Sequence, residues 1–163
     1  IAAGAICEIA GTQGEREIPI EQMITGPGRN ALGRGEFVLG FRLPKPMAGS
    51  GDAYLRFIPR TEMDIAVVGA GVSLAVDAKG VCTHARVGLG AVAPTPLLVA
   101  DGARALIGTR VDAAALKALA AAASAACKPI DDKRGTVAYR VKVAGVLARR
   151  AAVIALQRAA NRK

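Results

Sequence analysis

The periodicity of the apolar residues changes once along this chain, near Pro94, and that change limits the folds it can form. Before Pro94, residues 53–58, 65–76 and 81–89 alternate or run apolar, as strands do, and D-A-K-G at 77–80 is a hairpin turn. After it, alanine-rich segments carry apolar residues at helical spacing. Strands followed by helices predict an α+β fold, in which helices cover one face of an antiparallel sheet of three to four strands.

Three helices are predicted beyond Pro94. A short one covers residues 100–106, and Asp112 is a suitable N-cap for the second, which ends before Pro129. The second helix carries one apolar face, formed by Leu116, Leu119, Ala123 and Ala126. The third and longest begins near Thr136, and its predicted sheet-facing stripe is Tyr139, Val143, Val146, Leu147 and Ile154.

The first 48 residues have a different organisation. Residues 5–10 and 15–20 favour strands and flank G-T-Q-G, which predicts a hairpin. The glycine-rich segment 25–35 predicts an irregular loop that leads into a strand at 36–43. Small residues at 47–52 predict a boundary between a first unit, residues 1–48, and a second domain, residues 49–163.

The cysteines and the single histidine argue against a metal site. Cys7, Cys82 and Cys127 are far apart, without C-x-x-C or Cys/His spacing, so three buried thiols in a reducing compartment are expected. His84 lies in an alternating segment and has no nearby partner in the sequence, so we expect a surface or packing role. A cytoplasmic location is therefore predicted.

The formal net charge of +9 raises the possibility of a nucleic-acid partner. Aromatic residues are only 3% of the chain, so a stacking platform is missing, and no recognition motif accompanies the charge. We expect no nucleic-acid binding. Apolar runs stay well short of the roughly 20 residues that cross a bilayer, so no transmembrane segment is expected, and no signal peptide is recognisable.

A-V-V-G-A-G-V-S-L at 66–74 is similar to a dinucleotide-binding fingerprint but lacks its context. Leu74 occupies the third glycine position, and the residues after Gly71 continue as a strand, so no helix start is available for a pyrophosphate. Gly69 and Gly71 are expected to allow a bulge or close packing within a strand. The sequence contains no recognisable acid–base or nucleophilic constellation either.

Four segments carry a resemblance to a known family. They are T-G-P-G-R-N-A-L at 25–32, E-F-V-L-G-F-R-L-P at 36–44, A-Y-L-R-F-I-P-R-T-E-M-D-I-A at 53–66 and D-D-K-R-G-T-V-A-Y-R at 131–140. Together they resemble the FAD-carrying medium subunit of molybdenum hydroxylases, the group that includes aerobic carbon monoxide dehydrogenase and xanthine dehydrogenase. The resemblance implies a carboxyl-terminal fragment, with the tail of the FAD-binding domain followed by the carboxyl-terminal domain.

The resemblance also implies a function and partners. In this family, FAD in the medium subunit passes electrons from the [2Fe-2S] clusters of a small subunit to an external acceptor, and molybdopterin lies in a large subunit. The chain is therefore expected to belong to an oxidoreductase and to be inactive by itself. The alternative is a non-catalytic assembly domain that holds the subunits together.

Six residues match family positions at the flavin: Leu32, Phe37, Val38, Arg56, Asp64 and Ile65. Ordinary strand burial is the competing interpretation for Phe37 and Val38, since only one of two adjacent strand residues can face a ligand. Arg56 would favour the negative charge of reduced flavin, or else be a solvated surface cation. Asp132, Arg134, Tyr139 and Arg140 match a family pattern that we interpret as structural.

Overall fold

The described residues form two larger antiparallel sheets and one two-stranded hairpin. The computed structural model describes residues 1–61 and 64–161. The first sheet has the strand order β2-β1-β5, from β1 (Ile6–Gly11), β2 (Gly14–Pro19) and β5 (Phe37–Arg42). A single turn of 3-10 helix (Ile20–Gln22) and a short hairpin of β3 (Ile24–Gly26) and β4 (Arg29–Asn30) lie between β2 and β5.

The second sheet contains four strands in sequence order. They are β6 (Ser50–Phe57), β7 (Val68–Val76), β8 (Cys82–Gly90) and the short β9 (Leu97–Leu98). Three helices follow, α1 (Ala100–Leu106), α2 (Ala113–Ala126) and α3 (Val137–Asn161). The long helix α3 packs across β6 and β7, α1 lies on β8, and α2 packs against α1 and α3. The predicted α+β fold, with helices covering an antiparallel sheet, is confirmed.

Local sequence signals account for most element boundaries. The Asp112 carboxylate accepts a hydrogen bond of 2.9 Å from the Ala115 N–H, so it caps α2 as predicted. The Asp77 carboxylate accepts from the N–H groups of Lys79 and Val81 at 2.8 and 2.9 Å, which closes the turn between β7 and β8. No helix begins at Gly71, which lies inside β7, so the dismissal of the dinucleotide fingerprint is confirmed.

The buried face of α3 differs from the predicted stripe. Of the predicted stripe, Leu147 is buried and Val143 and Ile154 are partly buried against the core, but Tyr139 is 44% exposed. Most of the buried positions are alanine: Ala144, Ala148, Ala151, Ala152, Ala155 and Ala159. The prediction assigned the large apolar residues of the helix to its buried face. On the sheet, however, it is Gly51 that lies against the helix. Small residues on both surfaces allow the helix backbone to approach the strand closely, so alanine fills the space.

Gly51 provides a test of this close packing. A methyl group at Gly51 would overlap the carbonyl oxygen of Ala155 and the amide nitrogen of Ala159, both of which are helix backbone. We expect Gly51→Ala to lower the free energy of unfolding by about 3 kcal/mol, since backbone cannot move aside cheaply. Urea denaturation of the purified protein measures the change.

The matched control is Gly90→Ala, a strand glycine with open space around the added methyl group. It should change the free energy of unfolding by less than about 0.5 kcal/mol. Equal effects of the two substitutions would contradict the close approach of α3 to β6.

Candidate functional site

The connection between β6 and β7 is a loop, residues 58–66, that is closed at its base. The Val67 N–H donates to the Phe57 carbonyl at 2.9 Å, where the two strands separate. On the helix side, the Phe57 ring meets Tyr139 edge-on, with ring centroids 6.2 Å apart. The loop carries Asp64 and Ile65, two of the predicted site residues, while Glu62 and Met63 lie outside the described residues.

Asp64 is buried although it lies in a loop. Its side chain is only 7% exposed, with Arg60 Nε at 3.4 Å and Arg134 Nε at 3.6 Å from its two carboxylate oxygens. The Ile65 N–H donates to Asp64 Oδ1 at 2.8 Å. Burial by itself would raise the Asp64 pKa, but the Ile65 N–H and the two guanidiniums outweigh it and hold the pKa below its usual value. Asp64 is therefore an ionised anchor of the loop.

The second partner of Asp64 comes from the turn between α2 and α3. Asp132 organises this turn: its Oδ1 accepts from the Arg134 N–H at 2.8 Å and from Arg140 Nη2 at 2.6 Å. Its Oδ2 lies 3.6 Å from Arg134 Nη1. These bonds from the Arg134 amide and the Arg140 side chain lower the Asp132 pKa. The structural interpretation of Asp132 is consistent with these contacts.

Arg140 continues the network into the core. Its side chain is 5% exposed, and its Nη1 donates to the carbonyl of Val67 at 2.8 Å and to that of Ala91 at 3.2 Å. Four charged side chains thus form a row, Arg140, Asp132, Arg134 and Asp64, with contacts between 2.6 and 3.6 Å. This row joins the first turn of α3 to the loop between β6 and β7.

Arg56 lies on the face of β6 that is turned away from the helices. It pairs across the sheet with Gly69, and Tyr54, two residues before it, is 65% exposed. An added Cβ at Gly69 would lie 2.6 Å from the Tyr54 hydroxyl, so Gly69 allows close packing as predicted. Within residues 1–61 and 64–161, Arg56 forms no ion pair or side-chain hydrogen bond. Because no partner for it lies among these residues, Arg56 is available to an anionic ligand.

Leu32, Phe37 and Val38 belong to the first sheet. Leu32 and Val38 are partly buried against the small apolar cluster of Cys7, Ile9 and Met23. Phe37 points to the other side of β5 and is 57% exposed. Strand alternation therefore makes Phe37 the member of the pair that is available to a ligand.

Phe37 is one of four exposed apolar side chains on the edge strand β5 and the residue after it. The others are Leu39, Phe41 and Leu43, and each is at least half exposed. A register shift against β1 interrupts the alternation within β5, so Phe37 and Phe41 pair with residues on opposite faces of β1. Exposed apolar side chains on an edge strand are typical of a surface that another polypeptide or a ligand covers.

The loop before β5 is fastened by one ion pair. Arg16 donates to both carboxylate oxygens of Glu36 at 2.7 Å, and to the Ala31 carbonyl at 2.8 Å. Glu36 also accepts from the Gly33 N–H at 2.5 Å. The Arg16 guanidinium first, and the Gly33 N–H second, lower the Glu36 pKa from 4.5 to about 2. This bidentate pair fixes the segment between Leu32 and Phe37.

A cavity of about 370 Å³ opens on the helix-free face of the second sheet. Gly71, Gly88 and Gly90 form its floor, and Tyr54 and residues 1–3 form walls. None of the six predicted site residues lines it. The cavity therefore adds no support to the predicted set.

Comparison with known proteins gives the family. Residues 53–155 match the model of the CO dehydrogenase flavoprotein C-terminal domain, which is more than half of the chain. The chain belongs to this family. The predicted resemblance to the medium subunit of molybdenum hydroxylases is confirmed by curated relatives and by solved structures.

Individual relatives of this flavoprotein domain agree with the family match. The chain is 37% identical to the carbon monoxide dehydrogenase medium chain of Afipia carboxidovorans, over 97% of this chain and 54% of the relative. It is 33% identical, over 55% of this chain and 31% of the relative, to a xanthine dehydrogenase FAD-binding subunit of Escherichia coli O157:H7. CO dehydrogenase from Oligotropha carboxidovorans superimposes with a TM-score of 0.91 at 36% identity, over 96% of this chain and 54% of that chain. The chain thus spans about half the length of the carbon monoxide dehydrogenase medium chain.

The structure divides the six predicted residues between the two sheets. Leu32, Phe37 and Val38 lie in the first part, and Arg56, Asp64 and Ile65 lie on or next to the second sheet. That all six contact one flavin stays a prediction. Sequence reasoning missed the link from Asp64 to Arg134, because 70 positions separate the two and no local pattern predicts their contact.

The sequence predicted neither a metal site nor a transmembrane segment. Among the described residues, no group of three or more His, Cys, Asp or Glu side chains could hold a metal ion, and all three cysteines are free thiols. His84 is exposed on β8. None of the helices in the described ranges is long and apolar enough to cross a membrane.

The Arg16–Glu36 pair predicts a pH dependence of stability. Because the Glu36 pKa is lower in the folded chain, the unfolded chain binds the proton first as the pH falls. The stabilisation is present above pH 4.5 and is lost as the pH drops towards about 2. We expect Glu36→Gln to reduce the slope of unfolding free energy against pH in this window, measured by chemical denaturation between pH 5 and 2.5.

Glu15→Gln is the control, since Glu15 lies on the same hairpin and forms no ion pair within the described part of the chain. It should keep the slope of the unsubstituted protein. Parallel curves for Glu36→Gln and the unsubstituted protein would contradict the assigned role of the pair.

Proposed function

We propose that this chain is part of the FAD subunit of a molybdenum-containing oxidoreductase. In this proposal the subunit passes electrons from [2Fe-2S] clusters through FAD to an external acceptor. The observation that carries the proposal is the loop anchored at Asp64, which presents the exposed Ile65 next to a strand carrying Arg56, a cation with no side-chain partner among the described residues. The names of the relatives, a carbon monoxide dehydrogenase medium chain and a xanthine dehydrogenase FAD-binding subunit, support it.

The chemistry of these side chains fits one part of FAD. The isoalloxazine ring is a flat apolar surface, and Ile65 and Phe37 are 62% and 57% exposed, so both can pack against such a ring. Arg56 supplies the positive charge that would stabilise an anionic reduced flavin. When bound, FAD accepts and releases the electrons, while the protein positions it and tunes its electronics. Leu32 and Val38 would support the ring indirectly, by packing beneath β5.

The same chain fits the pyrophosphate of FAD poorly. A pyrophosphate is usually held by N–H groups of a glycine-rich loop or a helix start. Of the described helices, α2 begins with the acidic side chain of Asp112, which already accepts the helix N–H. We therefore propose that this chain forms one wall of the flavin site, and that other segments of the subunit hold the phosphates. Relatives about twice as long are consistent with this division.

The proposal implies partner subunits. A large subunit would contain molybdopterin and a small subunit the [2Fe-2S] clusters, and the solved relatives include a Cu,Mo-CO dehydrogenase. A cytoplasmic location and the absence of nucleic-acid binding stay predictions.

A second candidate is a purely assembly role without a functional flavin contact. Two surfaces favour it. One is the set of exposed apolar side chains on and just after β5. The other is a groove of about 500 Å³ between α2 and α3, whose lining includes the cations Lys117, Lys142 and Arg149. Neither helix contains an acidic residue in its described range, so this surface is positively charged. Both surfaces could contact other subunits.

Substitution of Arg56 in the intact complex separates the two candidates. We expect Arg56→Ala to slow flavin reduction roughly tenfold or more, since one charge-assisted interaction with the reduced flavin is lost. The flavin midpoint potential should become more negative, while the subunits still assemble. Stopped-flow absorbance, potentiometry and size-exclusion chromatography measure these three properties. Arg110→Ala removes an exposed cation elsewhere and should leave all three unchanged. Loss of assembly with normal flavin reduction would favour the second candidate.

The 163-residue chain alone should not retain FAD. One apolar wall and one cation cannot offset the loss of rigid-body freedom on binding, which costs roughly 4 kcal/mol or more. Titration of the purified chain with FAD, followed by flavin fluorescence and calorimetry, should give no saturable binding at micromolar concentration. Micromolar affinity would mean that the phosphate-binding segments are unnecessary and that the site is misplaced.

A further inference from the structure

The exposed Ile65 lies between two anchored neighbours. On one side, the buried carboxylate of Asp64 contacts Arg134 at 3.6 Å. On the other side, the carbonyl of Val67 accepts from Arg140 at 2.8 Å. Only Ala66 separates Ile65 from the second anchor. The backbone around Ile65 is thus fixed at both ends, although the side chain itself is 62% exposed.

Both anchors depend on the same turn, residues 131–135. Asp132 binds the amide of Arg134 and the guanidinium of Arg140, so one carboxylate orients both cations. The two arginines nevertheless differ. Arg140 is buried and donates to two strand-end carbonyls, which makes it part of the core. Arg134 is 26% exposed and reaches only Asp64 and Asp132 among the described residues.

The third partner in the group, Arg60, is placed differently. It lies on the loop itself, four residues before Asp64, and its side chain is 72% exposed. A contact within the loop cannot fix the loop relative to the helices. The Arg134 contact can, because Arg134 belongs to the turn between α2 and α3.

We propose that Arg134 is a positioning residue, which holds Asp64 so that the loop presents Ile65 in a preformed arrangement to the flavin. This inference rests on the proposed function. Its physical basis is preorganisation: a loop that is already ordered loses less conformational entropy when a ligand binds. Arg134 need not touch the flavin, since it acts through Asp64.

The test uses the full-length subunit in its complex, after removal and re-addition of FAD. Arg134→Gln removes the charge, Arg134→Lys keeps it, and Asp64→Asn removes the partner. Arg104→Gln is the matched control, because Arg104 forms an exposed ion pair with Asp101 on α1. Measurements are the FAD dissociation constant, the visible circular dichroism of the bound flavin, the midpoint potential and the melting temperature of the flavin-free protein.

We expect Arg134→Gln to raise the FAD dissociation constant about fivefold, which is the size of effect expected when one partly exposed ion pair is lost. The visible circular dichroism should change, because the ring environment is altered. Arg134→Lys should recover part of the affinity. In an Asp64→Asn background, Arg134→Gln should have little further effect, since the two residues act as one unit. The melting temperature should match that of Arg104→Gln.

Other outcomes distinguish a failure of the positioning role of Arg134 from a failure of the proposed flavin site. If Ile65→Ala weakens FAD binding but Arg134→Gln changes neither affinity nor spectrum, the positioning role is wrong and the proposed function stands. The positioning role is also wrong if Arg134→Gln lowers the melting temperature without changing the spectrum. If the unsubstituted subunit binds no FAD, or Ile65→Ala has no effect on binding, the proposed flavin site itself is wrong.

Discussion

The guanidinium of Arg140 joins the parts of the second sheet and its helices on which the candidate site depends. It donates to the carbonyls of Val67 and Ala91 and to the Asp132 carboxylate, so one side chain connects the start of α3, the end of the loop 58–66 and the segment after β8. A buried charge is costly unless its donors are satisfied, and here carbonyl and carboxylate oxygens accept from it. From Arg140, a series of ion pairs through Asp132, Arg134 and Asp64 leads to the exposed face of the loop.

The close approach of α3 to the sheet sets the geometry around that contact. Alanine on the helix and Gly51 on β6 bring the two backbones together, and α3 then crosses β6 and β7 with its first turn near the loop. Large side chains at the interface would move the helix away from the sheet. The network has contact distances of 2.6 to 3.6 Å, so a small displacement would break it. Packing of small residues in the core therefore supports a polar network at the edge.

Local patterns predicted much of the fold, and long-range contacts account for what they missed. The change of periodicity near Pro94 and the cap at Asp112 predicted the strands and helices, because these signals act within a few residues. The buried face of α3 was predicted wrongly at Tyr139, since which side of an alanine-rich helix is buried depends on the partner surface. The roles of Phe37, Arg56 and Ile65 came from a family resemblance. The Asp64–Arg134 contact had no sequence signal, because it forms only after the sheet and helices pack.

The most direct measurement of the central claim is an experimental structure of the intact subunit with FAD bound. The account predicts the isoalloxazine ring within about 4 Å of Ile65, the distance of apolar contact, with the Arg56 guanidinium next to the ring. It also predicts that Arg134 still contacts Asp64 and does not touch the flavin. A ring that fills the 370 Å³ cavity lined by Tyr54, Gly71 and Gly88, out of contact with Ile65, would contradict the account.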